Sequence, residues 1–358
     1  MNKELKDTVL ILTITLIAGT LVRLPEYVSG LSEIHFFPRN IPLIVLTAMT
    51  AVLILQGKFS RKSSWIILSV IGASFVFINV MPFGFRSQTG ELAMIHLPLF
   101  TWLMLCVSVQ GKDETRGQML YLRLNGELLM IVPIFLIGGV ILCVMMAGLF
   151  DLIDMNIEEF IEEYAFVYGT IGSILVALFL TDKLMKNSKA LAPVIAQLFM
   201  PLLLVFMVVY LVAMVVARKN PYHDRDFLIV FNGLMVLILG IVVFSISGRQ
   251  NNRWTAHLDW LNIALVILTL TINTVALSAI LFRLASFGLT PNRVTVLGAN
   301  ILIFIHLTGI VIRYINVVRG RTLTHELENW ICQYFRIYLV WTGCVTFIFP
   351  IIFFGYVS

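Results

Sequence analysis

The chain has 358 residues, of which 59% are hydrophobic and only 13% charged, and its mean hydropathy is +0.95. An ordinary soluble domain is about 45–50% apolar and about 25% charged, so no water-soluble core could bury this excess. The net charge of +5 comes from scattered Lys and Arg with no long basic run, which argues against nucleic acid and leaves anionic lipid as the partner of the basic flanks.

Long apolar runs separated by short charged connectors are what a chain shows when each helix must cross about 30 Å of hydrocarbon with about 20 residues. Eleven spans are predicted in chain order: Thr8 to Val22, Ile41 to Leu55, Trp65 to Pro82, Leu92 to Val109, Leu128 to Phe150, Ala165 to Thr181, Ala190 to Val216, Phe227 to Ser247, Trp260 to Phe282, Val294 to Ile312 and Ile337 to Tyr356. The fold class is therefore all-α, a polytopic transmembrane helix bundle forming a single membrane domain over residues 1–358. Spans 1 and 2 have 15 core residues each. That is below the usual range of about 17–25, so a re-entrant or interfacial helix is the alternative there, and ten crossings the alternative count.

Met1, Lys3, Glu4, Lys6 and Asp7 ahead of the first span read as a signal anchor, because no small-residue cleavage pattern precedes Arg23. On alternating sides of the predicted spans the connectors hold seventeen and eight Lys and Arg, which places the amino terminus in the cytoplasm. The connector with Arg218, Lys219 and Arg225 runs against this bias.

Several motifs point to packing. In span 5, Gly139, Cys143 and Ala147 fall at four-residue steps, a small-residue face suited to a neighbouring helix. Pro98, Pro133, Pro193 and Pro201 fall at kink positions. The segment from Asp151 to Tyr164 carries six carboxylates and no basic residue, with Ile153, Ile157, Phe160, Ile161 and Tyr164 at helical spacing. It reads as an acidic amphipathic helix on the outer surface that leads into span 6, with a cation-attracting vestibule as the sharper alternative. Cys106, Cys143, Cys332 and Cys344 show no paired spacing, so neither a disulfide framework nor a zinc site is expected.

The predicted cores contain no Asp or Glu, and the titratable groups at depth are His96 and His306, with Arg283 and Arg313 near span ends. A carboxylate proton relay is thus disfavoured. Polar residues gather instead on spans 9 and 10. Asn262, Thr269 and Asn273 share one narrow face of span 9. On span 10, Arg293 and Asn300 lie seven apart, and His306 and Arg313 lie seven apart on a different face. Such stripes are either interhelical glue or a pathway, and the pathway reading makes Asn262, Asn273, Arg283, Arg293, Asn300, His306 and Arg313 the candidate substrate or ion path.

The turn between these spans has its own chemistry. Gly288 suits the left-handed position that ends a helix, Thr290 an N-cap and Pro291 the first helical position, so a tight hairpin is predicted. Arg293 then sits in the first turn, where the helix dipole disfavours a cation by about 0.3–1 kcal/mol. A lipid phosphate, snorkelling to the interface or an anionic ligand would compensate.

The string ALSAILFRLASFGLTPNRVTVLGANILIF resembles the carboxyl-terminal part of a bacterial polytopic membrane family of unknown function. An arginine, a Gly-x-Thr-x-x-Arg turn and a Leu-Gly-x-Asn recur in that family, at positions matched here by Arg283, Gly288, Thr290, Asn292, Arg293, Leu297, Gly298 and Asn300. The resemblance covers about 30 of 358 residues. It implies a multi-pass protein of the bacterial cytoplasmic membrane, loosely permease-like, with no substrate named.

Other motifs are weak. THELEN, with His325, Glu326 and Glu328, lacks the second histidine of a zinc-protease helix, and there is no phosphate loop. His223, Asp224 and Asp226 read as a solvated connector. No catalytic residue, metal or cofactor is expected. A permease-like carrier of a small solute or ion is the favoured function, with a sensor, channel-like or structural subunit next, and a membrane-embedded enzyme using His223 or His325 third.

Overall fold

A computed structural model describes residues 3–81, 87–110, 113–151, 155–185, 191–216, 222, 225–247 and 256–353, and the regular structure in them is helical. In chain order the helices are α1 (Lys3–Val22), α2 (Leu24–Tyr27), α3 (Glu33–Leu55), α4 (Arg61–Val80), α5 (Gln88–Ser108), α6 (Glu114–Asp151) and α7 (Glu158–Phe160). There follow α8 (Phe166–Met185), α9 (Leu191–Val216), α10 (Arg225–Ser247), α11 (Ala256–Phe287), α12 (Pro291–Val318), α13 (Thr324–Gly343) and α14 (Phe349–Ile352). Single π-turns, Ile161–Ala165 and Cys344–Ile348, join α7 to α8 and α13 to α14.

Among the described residues, ten helical segments are long and apolar enough to cross a membrane, and α9 adds the apolar stretch Val194–Val209. The chain is a multi-pass membrane protein. Among the described residues all eleven predicted spans fall on helices, including the two that looked short. α1 runs for 20 residues and α3 for 23, because the flanks of each apolar run also coil into the helix. At 1.5 Å per residue both reach about 30 Å. α3 continues through Pro38 and Pro42, as α5, α6 and α9 do through Pro98, Pro133 and Pro201.

The chain divides into two compact units. The first comprises Met1–Pro82, Met104–Gln110 and Leu124–Lys189. Its central seam pairs α1 with α8 in antiparallel register. The Tyr168 ring lies against Gly19, where an added Cβ would fall 2.3 Å from the ring, and Thr15 packs on Gly172. The Tyr168 hydroxyl lies 3.1 Å from Thr20 Oγ1. One turn further along the same register, the nearly fully buried Arg23 stacks 3.7 Å over the Tyr164 ring and pairs with Glu26 and Glu163. Elsewhere in this unit Asn40 and Asn79 exchange reciprocal amide hydrogen bonds of 3.0 and 2.8 Å between α3 and α4.

One expectation holds here and another changes. The acidic segment leads into span 6 as read: among its described residues, Glu158 to Tyr164 runs through the π-turn straight into α8, with Phe160, Tyr164 and Tyr168 stacked in series. Its Glu163 is occupied by Arg23. The small-residue face of span 5 does not pack in the structure: an added Cβ on Gly139 would meet nothing within 4 Å, and neighbouring Val140, Leu142 and Val144 are exposed. With the highest hydropathy of the candidate spans, this part of α6 is an exposed apolar surface among the described residues, suited to lipid.

The second unit comprises Phe83–Leu103, Gly111–Arg123 and Ala190–Ser358. Here α9, α10, α11 and α12 pack on one another, and α13 packs on the far side of α12. The α12–α13 seam again sets glycines under aromatic rings in antiparallel register. A Cβ on Gly298 would fall 2.1 Å from Trp341, and one on Gly309 would fall 2.2 Å from Trp330. Small residues let two backbones approach closely, which in lipid is the main source of helix association.

Candidate functional site

The α11–α12 hairpin forms as its residues dictate. Gly288 takes φ +78, the left-handed conformation that a Cβ disfavours, and ends α11. Thr290 is the N-cap of α12: its Oγ1 accepts from the Arg293 backbone N–H at 3.2 Å, and Pro291 fills the first helical position.

Within the protein, Arg293 finds compensation in the turn that precedes its helix. Its Nη1 donates to the carbonyls of Phe287 at 2.6 Å and Gly288 at 2.7 Å. These are orphan acceptors at the end of α11, the negative pole of that helix. Arg293 is thus unfavourable to its own helix and favourable to the preceding one. Its guanidinium also lies 5.6 Å from the Phe287 ring centre, and that of Arg283 lies 6.0 Å from the same ring. Among the described residues Arg283 has no carboxylate partner.

Both arginines line a cavity of about 190 Å³. Its other polar lining comes from Gln88 at the start of α5, Asn232 on α10, and Thr290 and Asn292 at the turn, and the rest is apolar. The lining checks the topology. The starts of α5, α10 and α12 and the end of α11 must lie on one side of the membrane to share a cavity, which requires an even number of crossings between Gln88 and Leu228. α5, α6, α8 and α9 lie between them, and four crossings meet that requirement.

Below the cavity runs a chain of amides. Asn300 Nδ2 donates to Asn232 Oδ1 at 2.9 Å and to the Val296 carbonyl at 2.7 Å, and Asn273 Nδ2 donates to the Asn300 carbonyl at 3.2 Å. Asn273 and Asn300 are almost fully buried, yet neither Oδ1 has a protein hydrogen-bond partner. Toward the other end of α11, Asn262 Nδ2 donates to Ser245 Oγ at 2.9 Å and to Tyr314 Oη at 3.0 Å. The Tyr314 hydroxyl donates to Asp259 at 2.8 Å.

Asp259 amends the sequence reading. Helix α11 starts at Ala256, before the predicted core, and Asp259 lies inside the apolar span Leu258–Phe287 at only 4% exposure. Glu127 on α6 is equally buried. Both sit one residue outside the cores predicted from hydropathy, because a run of hydropathy stops at a charge whereas a helix does not.

The seven candidate path residues therefore divide. Arg283 and Arg293 line the cavity, while Asn300 and Asn273 continue from it through Asn232. Asn262 belongs to the Asp259 network, about 30 Å from Arg283 along α11. His306 and Arg313 face α13 instead. The His306 ring stacks on Tyr334 at 4.3 Å, its Nδ1 lies 3.0 Å from the Tyr338 hydroxyl, and its carbonyl accepts from Trp330 Nε1. Arg313 lies 4.0 Å over Trp330 and bonds to the Gly309 carbonyl. Trp330, Tyr334, Tyr338 and Trp341 escaped the sequence reading although their spacing of four, four and three marks one helix face. His96 bonds to the Leu92 carbonyl one turn back, the satisfied histidine of a packed helix.

Among the described residues no three His, Cys, Asp or Glu side chains gather as a metal site, and all four cysteines are thiols. The His223 and Asp224 motif lies outside the described residues, as does the side chain of Asp226. Comparison with family models, with curated proteins and with solved structures returned no match.

Proposed function

We propose that this chain is a permease-like carrier of a small solute or ion, of the bacterial cytoplasmic membrane kind that the Arg283 to Asn300 segment resembles. In this reading the amino terminus is cytoplasmic and basic flanks meet anionic lipid. The cavity then opens on the outer side, since the hairpin follows an odd number of spans. The observation that carries the reading is the continuity of the cavity, through Asn232, with buried Asn300 and Asn273. A buried carbonyl without a partner costs about 1–3 kcal/mol, and asparagine at such a place holds acceptor capacity that a leucine would not. Transported groups and water use capacity of this kind.

The same hydrogen bonds favour a second reading, a sensor or structural subunit. The Nδ2 groups of Asn262, Asn273 and Asn300 each have an acceptor in the protein, as interhelical glue requires. The test is flux. Full-length protein reconstituted in vesicles is expected to exchange a labelled solute with its medium, and Asn273→Leu is expected to lower that rate by about tenfold while leaving folding intact. If no solute in a broad small-molecule panel moves faster than through empty vesicles, the carrier reading fails and the subunit reading stands.

A further inference from the structure

We infer that the Arg283–Arg293 cavity is an oxyanion site, fitted to a phosphoryl or sulfate group, either free or on a lipid headgroup. This goes beyond the carrier reading and does not need it, because an anion can be held by a chain that moves nothing.

The first argument is the sign of the lining. Two guanidiniums lie against one Phe287 ring, and among the described lining residues there is no carboxylate. Two cations held together repel unless a third charge separates them. Arg293 is held beside this ring by the Phe287 and Gly288 carbonyls. The guanidinium of Arg283 makes no hydrogen bond among the described residues and keeps its planar donor fork for a ligand.

The second argument is the orientation of Asn232, which follows from its neighbours. The Val296 carbonyl can only accept, so the atom of Asn300 that faces it is Nδ2. That same nitrogen faces Asn232, so the atom of Asn232 that meets it is Oδ1. The NH₂ of Asn232, a donor, is then the group left without a partner among the described residues. Thr290 Oγ1 likewise accepts from Arg293 N–H, which leaves its hydroxyl proton to donate. The Asn292 backbone N–H, in the first turn of α12, has no intrahelical acceptor and stands at the positive pole of a 28-residue helix.

Apart from Gln88 Oε1, which is buried without a partner, the described lining is rich in donors whose neighbouring acceptors are already used. A cation would find few lone pairs there, whereas a tetrahedral oxyanion would find guanidinium, amide, hydroxyl and backbone donors converging on it. A volume of about 190 Å³ accommodates one such group, and the apolar remainder, with Leu228, Ile229, Ile280 and Val296, suits an alkyl or glycerol portion attached to it.

The experiment uses the full-length protein in neutral detergent. Melting is followed against inorganic phosphate and sulfate with chloride at matched ionic strength, and in parallel against phosphatidylglycerol with phosphatidylcholine as control. The wild type is expected to show a saturable rise in melting midpoint with an oxyanion that chloride does not reproduce. A rise with phosphate or sulfate marks a soluble ligand, and a rise confined to phosphatidylglycerol marks a lipid headgroup. Arg283→Gln is expected to weaken the response at least about tenfold, the loss of one charge-assisted contact. Asn232→Asp keeps the acceptor that Asn300 needs and replaces the donor with a negative oxygen, so it should melt at or above the wild-type midpoint and lose the response. The inference is overturned if no oxyanion, soluble or lipid, shifts the wild type, or if both variants respond as the wild type does. Binding without flux would overturn only the carrier reading.

Discussion

Helix α12 carries polar residues on two faces that do different things. Toward α10 and α11 it presents Arg293, Asn300 and Tyr314, each bonded to a neighbouring helix, with a cavity at the upper end and buried carbonyl oxygens of asparagine left over. Toward α13 it presents Gly298, His306, Gly309 and Arg313 beneath an aromatic sheet of Trp330, Tyr334, Tyr338 and Trp341. The first face holds its partners at hydrogen-bond distance and leaves room; the second closes ring on backbone with no room for one methyl group. Polarity in a membrane helix therefore marks two opposite things. A histidine stacked on tyrosine over a glycine groove closes a packed seam, whereas an asparagine beneath a guanidinium-lined cavity keeps an acceptor oxygen without a protein partner.

The largest effect expected from breaking this contrast lies on the closed face. Replacing Gly298 and Gly309 together by alanine puts each Cβ within 2.1 and 2.2 Å of tryptophan ring carbons, far inside contact distance. Overpacking of this kind costs about 1–3 kcal/mol per site. The two sites lie about 16 Å apart along α12, so their costs should nearly add, to about 2–6 kcal/mol in reversible denaturation. Alanine at Gly139, where an added Cβ meets nothing, is the control and should change stability by no more than about 0.5 kcal/mol. An equal loss at both positions would mean that the seam does not depend on close approach.

Tyr314→Phe addresses the open face. The ring is almost fully buried, and its hydroxyl is both a donor to Asp259 and an acceptor from Asn262. Removing it takes a hydrogen bond from a buried carboxylate, a contribution of about 1.5–3 kcal/mol for a charged partner. Denaturation midpoints of Tyr314→Phe, Asp259→Asn and the double variant check this as a cycle. The double is expected to cost less than the sum of the singles, and strict additivity would show that the hydroxyl and the carboxylate are not coupled.

Much of this was legible in the sequence, for identifiable reasons. Span number followed from hydropathy, and the hairpin from Gly288, Thr290 and Pro291, because turn and cap chemistry is local and each residue type has few other uses. The burial of both polar faces of α12 followed from periodicity. What periodicity does not supply is the identity of the neighbour. Asn300 and His306 look alike as polar residues in an apolar run, and only the helices opposite, α10 with Asn232 and α13 with Tyr334, separate them. Asp259 was missed for a different reason: it sits at the edge of a hydropathy run, and its burial depends on Tyr314, 55 residues away. The acceptors of Arg293 were on the page as residues, but sequence does not say which way a guanidinium turns.

That orientation gives the smallest and sharpest test of the contrast, because the cavity's two arginines hold different jobs ten residues apart. Arg293 spends its Nη1 on two carbonyls at the end of α11, in a partly exposed setting that water would otherwise serve. Arg293→Gln should therefore lower stability by only about 1 kcal/mol, a modest sum of helix-end electrostatics and lost hydrogen bonds. Glutamine can still reach one carbonyl with its amide, so the hairpin should keep its geometry and any oxyanion affinity should fall by less than with Arg283→Gln. The comparison is one of ratios: for Arg293 the stability loss should exceed the loss in ligand response, and for Arg283 the order should reverse. Paired melting curves with and without phosphate or phosphatidylglycerol measure both quantities on the same samples. If the two variants fall on one line, the arginines act as a single positive patch and the division between a structural cation and a ligand-facing one does not hold.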